Sequence, residues 1–187
     1  MIGDLPTSLE VGEKQYTIRS DFRVVLTIFE AINDPELSNR DKAIVTIKSL
    51  YADDIPEEHL KEAIEKANWY MDGGDMPKSE PSHKQTFDWK YDESIMFPAI
   101  NKVAGYETRT KGKYLHWWSF IGMFNEIDEG LFSTVMNIRS KMASGKKLDK
   151  WEREFYNKNK SLVNIQTAKD KAEIAETEDF LKELVGE

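Results

Sequence analysis

The chain has 187 residues, about one domain at roughly 150 residues each, with 40 % apolar and 32 % charged side chains. Its 34 acidic residues outnumber 26 basic ones, and a net charge of -8 is a poor match to a general nucleic-acid binder, whose phosphate contacts need clustered positive charge. The absence of cysteine excludes disulfides, thiolate catalysis and cysteine-based zinc sites. Apolar runs are too short to cross a bilayer, and no basic stretch followed by an apolar one opens the sequence, so the expectation is a soluble cytosolic protein with no membrane contact.

Residues 8 to 18 alternate around Leu9, Val11, Tyr16 and Ile18, with Gly12-Glu13 between, which predicts a small β-hairpin. Everything after it reads as helix. Ser20 is the expected N-cap of a first helix with Phe22, Val25, Leu26, Phe29 and Ile32 at helical spacing, stopped by Asn33-Asp34-Pro35. Ser38 caps a second, with Ala43, Ile44, Ile47, Leu50 and Tyr51 on one face. Pro56 suits the first turn of a third, whose stripe is Leu60, Ile64, Ala67 and Met71.

Residues 72–86 hold two Gly, two Pro and two Ser but hardly any apolar side chain, and read as a flexible linker or loop. Beyond it, Trp89, Met96, Ile100 and Val103 make a stripe that Pro98 should kink or split near Phe97. A polar loop over 105–113 leads into the aromatic stretch 114–124, then a stripe of Leu131, Val135, Ile138 and Met142, and a further helix marked by Leu148, Trp151 and Phe155. Residues 161–187 read as an acidic helix whose thin stripe includes Phe180, Leu181 and Leu184, suited to docking on a partner or a second copy. Charge is segregated here: residues 141–160 carry seven basic side chains against three acids, and residues 164–187 seven acids against three lysines. Solvated helix faces explain this more simply than pairing of the two blocks. The expected protein is mainly α: a multi-helix bundle with a small N-terminal β-hairpin. Its blocks are a hairpin with three helices (1–71), a linker (72–86), an aromatic-rich helical block (87–160) and the acidic helix (161–187).

Signals for chemistry are sparse. His59, His83 and His116 have no second ligand at helical spacing, so no metal site is expected. Serine-nucleophile motifs and Gly-rich phosphate loops are missing, and Gly73-Gly74 follows a helix as a stop. Asp53-Asp54 and Asp128-Glu129 read as caps and first-turn charges in preference to acid–base pairs. No catalytic constellation and no cofactor are expected. The densest feature runs from Arg109 through Lys113 to Phe120. Rings with basic neighbours can stack single-stranded nucleic acid, but Leu115, Trp117, Trp118, Phe120, Ile121 and Phe124 cover most of a helix circumference, which favours a core and, after it, an interface.

The opening Met1-Ile2-Gly3-Asp4-Leu5-Pro6, then Tyr16-Thr17-Ile18-Arg19-Ser20-Asp21-Phe22-Arg23, Leu115-His116-Trp117-Trp118-Ser119-Phe120 and Asn137-Ile138-Arg139 resemble, in this order, the bacteriophage gene product fifteen family of long-tailed phages and prophages of Gram-positive bacteria. The likeness runs to about Gln166. It implies a morphogenesis protein encoded near the tape-measure protein and acting as a tail assembly chaperone, which coats that helical partner in the host cytoplasm until the tail tube polymerises. The alternative is a structural component of the virion tail, of the tail-completion or connector type. No active site is carried over, so a non-enzyme is expected, with the tape-measure protein as partner and homo-oligomers as a further option. The candidate contacts with a partner or a second copy are Leu115, Trp117, Trp118, Phe120 and Phe124, with Leu131, Val135 and Ile138, and Phe180, Leu181 and Leu184 in the acidic helix. If Trp117 faces a partner, Trp117→Ala should abolish solubilisation and leave the fold native.

Overall fold

Gly12 and Glu13 both carry positive φ, 55° and 60°, and this two-residue turn joins β1 (Ser8–Val11) to β2 (Lys14–Thr17) in antiparallel register, Leu9 opposite Tyr16. Such a turn matches the twist of the strands it connects. It puts Leu9, Val11, Tyr16 and Ile18 inward, all buried, as their alternation predicts. A Cβ on Gly12 would also sit 2.4 Å from the His59 ring, so Gly12→Ala adds positive-φ strain to a displaced ring. It is expected to lower stability by about 1–2 kcal/mol in a denaturant titration.

The computed structural model describes residues 3–74 and 86–165, which fall into two compact units. The first contains the hairpin, α1 (Phe22–Asn33), α2 (Asn39–Leu50), a 3-10 turn (Glu57–His59), α3 (Leu60–Met71), α4 (Glu93–Ala104) and α5 (Trp117–Asn125). The second contains residues 86–92, α6 (Leu131–Ala143), α7 (Lys150–Lys158) and the short α8 (Lys160–Val163). The protein is mainly α with an N-terminal two-stranded hairpin.

In the first unit α1 packs on α2 and on α5, α2 on α3, α3 on β1, and α4 on α5. The units therefore do not divide at 72–86: α4 and α5 follow that segment, yet their rings complete the core built by α1. Phe22 stacks on Phe120 at 4.4 Å and lies 6.2 Å from Phe97, and Trp117 meets Phe29 edge-on at 5.8 Å. Local details depart from expectation at three points. The N-cap of α1 is Asp21, whose side chain accepts the Arg23 N–H, while Ser20 is buried and its hydroxyl bonds Tyr114 at 2.7 Å. Helix α3 buries Ala63, Ala67, Tyr70 and Met71, a face rotated from the predicted stripe, and leaves Leu60 exposed. Helix α4 is not split by Pro98, which lies on its exposed side, where water can satisfy the Ser94 carbonyl that loses its helical partner. Ser38, by contrast, caps α2 as expected, in a reciprocal capping box with Asp41.

In the second unit α8 packs on α6 and α7. The stripe of α6 is buried in its middle, at Val135 and Ile138, and open at both ends, where Leu131 and Met142 are exposed; Phe132 and Arg139 take inward positions instead. Trp89, expected on α4, precedes it and meets Phe87 edge-on at 4.6 Å. Most of the expected linker (75–85), most of the acidic helix, and with it Phe180, Leu181 and Leu184, lie outside the described residues.

Candidate functional site

The stretch 19–23 is a hub of the first unit, in which the side chains of Arg19, Asp21 and Arg23 answer backbone needs. Arg19 donates to the carbonyls of Lys48 and Ser49, both at 3.1 Å, and to that of Tyr51, so its guanidinium covers the carbonyl end of α2. The Ser20 carbonyl accepts the backbone N–H of Trp117 at 2.8 Å and the Tyr70 hydroxyl at 3.3 Å. Asp21 caps α1, accepts the Leu115 N–H at 3.2 Å and holds Arg23 at 3.0 Å. Arg23 then donates to the carbonyls of Thr108, Thr110 and Lys113, which pins the loop leading into α5.

His116 caps α5 through Nδ1, which accepts the Trp118 N–H at 3.0 Å, while Nε2 lies 2.9 Å from the Pro6 carbonyl and serves as the donor there. Both ring nitrogens are therefore engaged, and His116 is a strut between the N-terminal segment and α5. Trp117 and Trp118 donate their indole N–H groups to the carbonyls of Met71 and Tyr70, the last turn of α3. Burial raises the Tyr51 and Tyr70 phenols above their ordinary range, helped by Glu62 at the first and by Tyr114 and Asp21 at the second.

The loop before α5 has its own clasp. Glu107 accepts the Arg109 side chain at 2.9 Å, the Arg109 backbone N–H at 3.0 Å and the Asn101 amide at 2.8 Å, and these donors, the Arg109 guanidinium first, bring its carboxyl from 4.5 down to about 2. Because the folded value lies below the unfolded one, the clasp contributes stability above about pH 4.5 and loses it as pH falls towards 2. A carboxylate NMR titration should place the Glu107 midpoint near 2; a midpoint of an ordinary glutamate would show the clasp open.

The second unit is closed by a buried ion pair. Arg139 is 5 % exposed and Asp92 1 %, and the guanidinium forks onto the carboxylate at 2.7 and 2.8 Å. Its remaining donors reach the carbonyls of Val163 at 2.6 Å, Leu162 at 2.8 Å and Thr86 at 3.2 Å, so all five N–H groups have acceptors. The Asp88 N–H adds 2.9 Å to the same carboxylate, and the Tyr91 ring faces the guanidinium at 5.8 Å. Nearby Glu152, also buried, completes a capping box with Asp149 and accepts Lys141 and Asn137; the Lys141 bond is the main cause holding its carboxyl below the usual range. The Asn-Ile-Arg motif carries Asn137 and Arg139, but nothing local in the sequence announces Glu152 as the partner of the first or Asp92 as that of the second.

The contact candidates separate by exposure. Trp117, Phe120, Val135 and Ile138 are fully buried and present no surface to a partner in this fold. Leu115, Trp118 and Phe124 are half-buried, and Leu131 is 49 % exposed. Tyr114, open at 62 %, and Trp151, open at 59 %, are not among the expected contacts, since patterning places them only in the aromatic stretch and on a helix stripe. Among the described residues, no group of three or more His, Asp and Glu side chains is placed to hold a metal ion, and no helix is long and apolar enough to cross a membrane.

The four motifs thus converge on bolts of the frame: the hub at 19–23, the His-Trp-Trp strut and the Arg139 clamp. A family described as Bacteriophage Gp15 protein matches residues 1–165. The chain belongs to this family. Searches of curated proteins and of solved structures found no match. The Gp15 match covers both compact units up to Ile165, two residues beyond α8, and so includes every bolt described above.

Proposed function

We propose that this chain is a phage tail assembly chaperone, acting by binding and not by catalysis, that holds the tape-measure protein soluble in the host cytoplasm before tail-tube polymerisation. The observation that carries the reading is its membership of the Bacteriophage Gp15 family over residues 1–165. The physical character of the fold supports it. A protein that grips an amphipathic coil must keep its own shape while offering apolar side chains to the coil. Here the backbone is bolted by Arg19, Arg23, His116 and Arg139, and Leu131, Met142, Tyr114 and Trp151 remain open.

Leu131→Ser is expected to change stability by no more than about 0.5 kcal/mol, as exposed positions do, and to weaken capture of a tape-measure protein in a pull-down. Unchanged capture would remove Leu131 from the contact. Mass spectrometry tests the role itself: the protein should be abundant in lysates of cells making phage and absent from purified virions. Retention in virions at fixed stoichiometry would replace the chaperone with a structural component of the tail.

A further inference from the structure

Helix α7 sets exposed aromatic surface within a basic stretch of this acidic chain. Trp151 is 59 % exposed and lies 5.6 Å from the ring of Phe155, one helical turn on, so the two form an apolar ridge. In sequence, the ridge lies within residues 141–160, which carry seven Lys and Arg against three acids. Of those acids, Glu152 is buried on Lys141, Asp149 caps the helix and Glu154 is exposed on α7, against six exposed cations, Lys146, Lys147, Lys150, Arg153, Lys158 and Lys160.

The described residues end at Ile165, just after α8, which packs on α6 and α7. Residues 166–187 follow, with seven acids against three lysines and with Phe180, Leu181 and Leu184. Even at the ~1.5 Å per residue of a helix, that stretch reaches ~30 Å, more than twice the length of α7. Charge sign, apolar content and point of attachment all match the α7 face.

We propose that residues 166–187 of the same chain seat on this face, with their carboxylates over the α7 lysines and their apolar side chains on the Trp151–Phe155 ridge. A nucleic-acid strand would match the ridge and the cations, but it would be repelled by a chain of net charge -8. Tethering makes the seat an intramolecular one, at an effective concentration no free ligand needs to reach.

The test is carbodiimide cross-linking of the full chain, which condenses a carboxylate with a lysine amine and releases water, read by mass spectrometry. Links should join Glu176, Glu178, Asp179 or Glu183 to Lys146, Lys147, Lys150 or Lys158. They should fade in 1 M salt, where the screening length falls to ~3 Å. In an equal mixture of isotope-labelled and unlabelled protein, each link should stay within one isotope. The indole resonance of Trp151, assigned with Trp151→Phe, should move when the chain is shortened to end at Ile165. Absence of these links overturns the proposal, as does a pattern unchanged by salt. Links across isotopes would make the occupant a second copy, and displacement of the links by a single-stranded oligonucleotide would make the face a nucleic-acid site; either result also overturns it.

Discussion

Arg139→Ala is expected to cost about 3–5 kcal/mol of stability, the range for removing one partner of a buried ion pair. The reason is what the substitution leaves behind. Asp92, at 1 % exposure, is left with the backbone N–H of Asp88 as its remaining described donor, and the carbonyls of Thr86, Leu162 and Val163 lose theirs. The last two close α8, so the C-terminal end of the second unit loosens with them. Lys is a poor replacement. Its three donors on a point charge cannot fork onto a carboxylate and also serve three carbonyls, so Arg139→Lys should retain most of the loss. Joining Arg139→Met to Asp92→Leu should recover part of it, because no stranded charge remains. Urea titrations of the singles and the double form the cycle. A loss below about 1 kcal/mol for Arg139→Ala would mean that the clamp is solvated.

Trp117→Ala should lose a similar amount, about 3–5 kcal/mol, by opening a cavity in the first unit. The indole is fully buried, stacks on Phe120 at 5.7 Å, meets Phe29 edge-on and donates to the Met71 carbonyl at 3.0 Å. Trp117→Phe keeps most of the ring burial and gives up the hydrogen bond, so a cost nearer 1–3 kcal/mol is expected, with the Met71 carbonyl left without that donor. Thermal melts followed by circular dichroism check both. An alanine variant that melts like the parent yet fails to hold a partner would return Trp117 to the contact surface.

The fold was legible where signals are local. Alternation around a Gly-containing turn marks the hairpin, and Ser38 with Asp41 three residues on marks the start of α2. Where two side chains compete for one role, the sequence alone could not choose. Ser20 and Asp21 can both cap a helix, and the choice is made by Tyr114, which takes the Ser20 hydroxyl, and by Leu115 and Arg23, which take Asp21. Stripes gave the type of helix and not its exact inward face, since rotation depends on neighbours distant in sequence, as Leu60 and Leu131 show. Long-range partners were illegible for the same reason: Arg139 and Asp92 stand 47 positions apart with no shared local pattern. Among the aromatic residues of α5, density pointed to burial, but depth of burial separates Trp117 and Phe120 from Trp118 and Phe124 through contacts with α1, α3 and α4.

Among the described residues, Arg19, Arg23, His116, Trp117 and Arg139 hold the frame, while Tyr114, Leu131 and Trp151 stand exposed. The measurement that bears most directly on the chaperone reading is co-expression with a phage tape-measure protein, followed by pull-down and light scattering of the eluate. The expected result is a soluble complex with several copies of this chain per tape-measure protein, and an insoluble tape measure when this chain is left out. A lone monomer that fails to associate, with the tape measure soluble or insoluble regardless, would contradict it.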